Sequence, residues 1–204
     1  MRTERIYQTN TYCKNCSANI VGISQKDGFD IVIPDKSPFF PEGGGQPADT
    51  GIIKSGNREF NITYVYDEEQ EGAVFHVTDA PAGTFKEGDE VELTLDWDAR
   101  FINMQRHCGE HMLSGAFHNL YSGINRGFHI GNGYIAIDIE CDGRILTAAE
   151  VAAAENMVNA AIRANLPVDV TYFDSYEESK IRPVRKDVPH DGRVSVVTIG
   201  DLDA

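Results

Sequence analysis

The chain contains no apolar run near the ~20 residues that a membrane-spanning helix requires, and no apolar segment follows the opening Met1-Arg2-Thr3-Glu4-Arg5. Neither a transmembrane helix nor a secretory leader is therefore expected. Cysteine is scarce: four residues in 204, at Cys13, Cys16, Cys108 and Cys141. So few make no disulfide framework and suit a cytoplasmic protein with reduced thiols. Positive charge is short as well, with 18 Lys and Arg against 32 Asp and Glu, a formal net charge of -14. That balance disfavours broad, sequence-independent binding to nucleic acid and leaves only a local basic surface open. No Gly-Lys-Ser/Thr phosphate loop is present, so ATP use is not expected. Internal repeats and low-complexity segments are also missing.

What is present is a 41% hydrophobic chain with 19 glycines. It is long enough for one large domain or two small ones. Residues 1–95 read as short strands: Ala18–Ser24, Phe29–Ile33, Thr50–Lys54, Glu59–Tyr66, Ala73–Val77 and Glu90–Leu95. Val91-Glu92-Leu93-Thr94-Leu95 alternates as a half-buried strand should. Strands at this density suggest a small barrel or a sandwich. Between them lies Pro38-Phe39-Phe40-Pro41-Glu42-Gly43-Gly44-Gly45-Gln46-Pro47-Ala48-Asp49-Thr50-Gly51. Three successive glycines permit positive φ and close approach of a ligand or another backbone, and the flanking rings and prolines give the loop shape. Cys13-x-x-Cys16 has no second pair at zinc spacing and reads as incidental.

From Asp96 the period changes to that of a helix running to Leu120 or Tyr121, with Asp96 and Asp98 suited to its first turn. Its middle carries His107-Cys108-Gly109-Glu110-His111. Histidines four apart project from one helix face and can grip one metal ion from two sides. Asn125–Gly133 reads as a glycine-framed loop holding His129, and a strand spans Tyr134–Glu140. Thr147-Ala148-Ala149-Glu150 is a capping box opening a second helix. Its apolar stripe is Val151, Ala154, Val158, Ala161 and Ile162, and Pro167 ends it. Strands Val168–Phe173 and Val194–Ile199 follow. Between them Lys180, Arg182, Arg185, Lys186 and Arg193 form the one locally basic stretch. The second half thus reads as an α+β sandwich, two helices on an antiparallel sheet, giving domains at 1–95 and 96–204.

Together the Pro38–Gly51 segment, Leu95-Asp96-Trp97-Asp98-Ala99-Arg100, His107-x3-His111 with Met112-Leu113, Gly127-Phe128-His129-Ile130-Gly131, Ile137-Asp138-Ile139 and the closing Arg193–Asp203 resemble the editing domain of alanyl-tRNA synthetase and its free-standing AlaX relatives. The resemblance covers nearly the whole chain. It implies a glycine-rich N-terminal β-barrel followed by an α+β catalytic domain. It implies hydrolysis of the ester joining a wrong amino acid, serine or glycine, to alanine tRNA. It also implies one zinc, with His107 and His111 as ligands. Gly43, Gly44, Gly45 and Gln46, with Phe128 and His129, would lie near the substrate. The family's second ligand pair, a Cys-x3-His, would follow a strand ending near Asp203. The chain stops at Ala204, so two of the four implied ligands are present and the second domain reads as shortened.

Cations at Arg100, Arg106, Arg126, Lys180, Arg182, Arg185 and Lys186 are the expected track for alanine tRNA carrying a wrong amino acid. No membrane partner is expected, and self-association is left open. Two alternatives stand beside this reading. One is an inactive or degenerate tRNA-binding module. The other follows from His107-x-x-Glu110-His111, which also spells a metallopeptidase pattern, with Glu110 as general base and Glu177 or Glu178 as a third ligand.

Overall fold

A computed structural model describes residues 2–68, 72–131, 133–181, 194–200 and 202. The elements in chain order are β1 (Glu4–Arg5), α1 (Ile6–Thr9), β2 (Asn15–Lys26), β3 (Phe29–Pro34), β4 (Lys36–Ser37), β5 (Gly51–Ser55), β6 (Arg58–Glu68), β7 (Ala73–Pro81) and β8 (Glu90–Leu95). There follow α2 (Trp97–Tyr121), β9 (Ile124–Ile130), β10 (Ile135–Glu140), α3 (Ala148–Arg163), β11 (Val168–Phe173), α4 (Tyr176–Ser179) and β12 (Val194–Ile199). The class is α+β. The chain divides into two compact units, Met1–Met104 and Gln105–Ala204.

In the first unit six antiparallel strands close a barrel in the order β2-β3-β7-β6-β5-β8. Closure depends on the length of β2. Its first part, Asn15–Asn19, pairs with β8, and its second, Ile20–Lys26, pairs with β3 beyond a register shift at Ile20/Gly22. A barrel, unlike a sandwich, leaves no open edge strand. The alternation in β8 points Val91, Leu93 and Leu95 inward, where they meet Val32, Ile53 and Phe39. Each such side chain stabilises the fold by roughly 1.5–3 kcal/mol. Gly51 starts β5 where a Cβ would lie 2.2 Å from the Thr94 carbonyl oxygen, so no larger residue fits that crossing.

The first two turns of α2 group with the barrel in this unit. Arg100 ties these turns to the barrel strands' connecting segment. Its Nε and Nη2 lie 3.1 and 3.0 Å from the two Asp49 carboxylate oxygens, and Nη2 also donates to the Pro38 carbonyl oxygen at 3.0 Å. Asp96 caps the helix through Oδ1, which accepts from the Ala99 amide at 3.1 Å.

The second unit holds the rest of α2 with β9, β10, α3, β11, α4 and β12. Its core gathers Met112 and Ala116 of α2, Ala154, Val158 and Ala161 of α3, and Ile199. The capping box on α3 is present in both halves. The buried stripe of α3 is narrower than its sequence suggests, since Val151 and Ile162 are 46% and 55% exposed. Among the described residues the strands form two separate antiparallel pairs, β9–β10 and β11–β12, and not one continuous sheet. No described helix is long and apolar enough to cross a membrane.

Candidate metal centre

The second unit places His107, Glu110 and His111 on one face of α2, at positions i, i+3 and i+4. Each offers a ligand atom, and these atoms all lie within 4.8 Å of one another. The imidazoles stack at 5.1 Å between centroids, and His107 stacks on Phe128 of β9 at 5.6 Å. Burial, reinforced by the neighbouring His111, pushes the His107 imidazole down to about 4. It is therefore neutral at pH 7, the form that binds metal. Glu110 is 3% exposed. Its Oε1 accepts from Ser114 Oγ at 2.7 Å and from Asn125 Nδ2 at 2.5 Å, and Asn125 Nδ2 also donates to Ser114 Oγ at 2.7 Å. Cys108 packs on the core side of the helix.

The donor set suits a metal. Imidazole nitrogens and a carboxylate oxygen are donor atoms of the kind that transition-metal ions take, and here they lie close enough to face one ion. The His pair alone would be too few. In the sequence Glu110 has a role only as the base of the peptidase pattern. Its i+3 placement was the signal that it shares the histidine face. Ser114, one turn further along, carries the same signal. Asn125 carried none, because its segment read as a loop and is in fact β9.

The other expected site residues divide by position. Gly43–Gln46 lies in the barrel unit as a tight turn. Gly43 and Gln46 exchange backbone hydrogen bonds at 3.2 and 3.0 Å, while Gly44 and Gly45 sit at φ 56° and 75°. Two consecutive positive φ values make this a mirror-image turn that favours glycine. Gln46 is buried. In the second unit Phe128 lies against His107, and His129 is exposed beside Tyr134. A cleft of about 580 Å³ lies against β5, β6 and β8, and none of the expected site residues lines it.

The expected cationic track changes in one member. Arg100 is 2% exposed and spends its donors on Asp49 and Pro38, so it is a structural residue that cannot reach a phosphate backbone. Arg106 reaches the Gly131 carbonyl oxygen at 3.4 Å, Arg126 pairs with Glu140, and Lys180 pairs with Glu177 at 2.7 Å. Arg182, Arg185 and Lys186 lie outside the described residues.

Comparison with known proteins decides the family. The alanyl-tRNA editing protein AlaX-L of Pyrococcus horikoshii is 36% identical over 202 residues, covering 98% of this chain and 48% of that protein. The chain is homologous to alanyl-tRNA editing proteins along nearly its whole length. The alanyl-tRNA editing protein Aarsd1 of Bos taurus is 34% identical over 180 residues, 87% of this chain and 38% of its own length. The alanine–tRNA ligase of Pyrobaculum aerophilum is 34% identical over 176 residues, 83% of this chain and 18% of the ligase. Residues 6–99 also match the model of tRNA synthetases class II (A). That match ends before His107, whereas the match to the editing proteins runs past it. The chain spans about half the length or less of these editing relatives.

Proposed function

We propose that this chain hydrolyses the ester of alanine tRNA carrying a wrong amino acid, serine or glycine, at a zinc ion with His107 and His111 among its ligands. The observation that carries the reading is the match to alanyl-tRNA editing proteins along nearly the whole chain. The three-residue donor set supports it. In this reading the hydrolytic chemistry belongs to residues 96–204.

A bound zinc would supply Lewis acidity for an ester carbonyl or for an attacking water. The chain's own residues do the remainder. The His107 imidazole, kept neutral by burial, offers a lone pair without first losing a proton. Phe128 stacks on that ring, fixing its plane and shielding one of its faces from water. The Gly43–Gln46 turn in the first unit and the Phe128-His129 segment in the second are the proposed substrate-binding elements, and Arg106, Arg126, Lys180, Arg182, Arg185 and Lys186 are the proposed tRNA-binding cations. Serine differs from alanine by one hydroxyl. A pocket that bonds that hydroxyl rejects correctly charged alanine strongly, because alanine would leave a buried polar group unpaired.

The experiment compares deacylation of serine-, glycine- and alanine-charged alanine tRNA by the chain in the presence of zinc. Hydrolysis of the first two with alanine spared supports the assignment. Equal rates for all three, or none above the background of tRNA alone, contradicts it. Arg182→Ala with Arg185→Ala should weaken tRNA binding and flatten its salt dependence.

A further inference from the structure

We infer that the exposed rings of Tyr12 and Phe101, both packed on Trp97, form a stacking platform for unpaired RNA nucleotides. The inference names where the barrel unit would grip the tRNA proposed above, and so rests on that reading. Trp97 is the chain's one tryptophan. Its ring lies 5.7 Å from that of Tyr12 and stacks on that of Phe101 at 5.8 Å, with Lys14 Nζ 4.6 Å from its centroid. All four residues belong to the first unit. Phe101 follows Trp97 by one helical turn, on the same face of α2. Tyr12 and Lys14 come from the segment between α1 and β2. The Lys14 carbonyl oxygen accepts from the Leu95 amide at 2.8 Å, which holds that segment beside the end of β8 where α2 begins. The backbone therefore brings the three rings together.

Tyr12 is 65% exposed and Phe101 38%, so both rings meet water and stand apart from the barrel core. Every base has a π face, so open rings hold nucleotides of any sequence. In a duplex those faces are covered by neighbouring pairs, so the platform takes unpaired segments. Lys14 adds one positive charge for a phosphate. Asp98 lies in the first turn of the same helix and Asp96 caps it, and the two carboxylates offset that charge. Stacking and not charge therefore carries the affinity. That is how a chain of net charge -14 can hold RNA with little basic surface.

The test uses the whole chain and needs no catalysis. Because Trp97 is the single tryptophan, its fluorescence reports on this place alone. Titration with a short unpaired RNA oligonucleotide should change the emission to saturation. The salt dependence should be shallow, with a slope near -0.7 for about one phosphate contact. Tyr12→Ala and Phe101→Ala should each weaken binding about 5–100-fold, the loss of one stacked base. Lys14→Ala should lose less and flatten the slope. Tyr12 is the more exposed, so Tyr12→Ala carries the test if circular dichroism shows Phe101→Ala misfolded. Unchanged affinity in Tyr12→Ala, equal binding of an RNA duplex, or no response of the parent overturns the platform. Emission that changes with protein concentration alone assigns the face to contact between copies and overturns it as well. Deacylation separates this inference from the function. A parent that hydrolyses mischarged tRNA without responding to the oligonucleotide refutes only the platform. A parent that binds the oligonucleotide and hydrolyses nothing supports the platform and refutes only the function.

Discussion

Arg100 Nη2 lies 3.0 Å from an Asp49 carboxylate oxygen, and the two side chains are 2% and 0% exposed. This pair ties α2 to both ends of the glycine-rich segment. Arg100 also donates to the Pro38 carbonyl oxygen. Asp49 accepts from the Phe40 amide at 2.7 Å and donates its own amide to the Phe40 carbonyl oxygen at 3.0 Å. Burial pushes the Asp49 carboxyl up to about 6, with Arg100 and the Phe40 amide pulling the other way. It is still charged at pH 7, so the pair stands there. Arg100→Met would strand a buried carboxylate and should cost about 3–5 kcal/mol of stability. Adding Asp49→Asn should recover part of that loss. Urea unfolding of the single and double variants checks both statements, and an Arg100→Met midpoint equal to the parent's would refute them.

Acid sensitivity of the barrel should trace to His76. It is completely buried, with Nδ1 3.2 Å from the Val74 carbonyl oxygen and Nε2 2.8 Å from Ser37 Oγ. Burial lowers its pKa from 6.5 to about 4. The folded state thus keeps it neutral while the unfolded chain takes up a proton below pH 6.5. Its contribution is present in full above pH 6.5 and is lost as pH falls toward 4, by about 3 kcal/mol in total. His76→Gln removes that slope. The stability gap between parent and variant should be largest near pH 7 and narrow toward pH 4, and a gap independent of pH contradicts the argument.

The glycines of the Pro38–Gly51 segment should differ sharply in tolerance. Gly44 and Gly45 need positive φ at the tip of an exposed turn. Alanine at either should cost about 1–2 kcal/mol. Gly51→Ala drives a Cβ against the Thr94 carbonyl oxygen at 2.2 Å and the Phe39 ring at 2.9 Å, where β5 meets β8. It should destabilise the barrel far more than the other two. Melting temperatures of the three variants rank the effects, and a Gly51→Ala melting point at or above that of Gly44→Ala would refute the ranking.

Much of the fold was legible in the sequence because its elements alternate cleanly. Val91, Leu93 and Leu95 announce β8 residue for residue, Asp96 announces the start of α2, and Thr147 with Glu150 announces α3. Extended pieces with weaker patterns were cut short. The β7 strand runs on to Pro81, four residues past the end that its apolar run suggests. The β9 strand was hidden altogether. Its two glycine-flanked ends look like a loop, and the bulge at Arg126 breaks the period-two pattern by which a strand is recognised. With β9 unread, Asn125 could not be placed. The placing of His107 and His111 on one helix face was legible from spacing alone, and so was that of Glu110, whereas the burial of Glu110 beside Ser114 and Asn125 was not. Arg100 misled for the opposite reason, since a lone arginine near the start of a helix reads as surface charge until its buried partner is seen.

The central claim is that the face of α2 carrying His107, Glu110 and His111 holds a metal ion that serves ester hydrolysis. The most direct measurement is zinc content, by elemental analysis, together with the deacylation rate on serine-charged alanine tRNA, for the parent chain and for His107→Ala with His111→Ala. The account predicts about one zinc per chain and measurable deacylation in the parent, both lost in a variant that remains folded. Undiminished deacylation in a folded, zinc-free variant would contradict it.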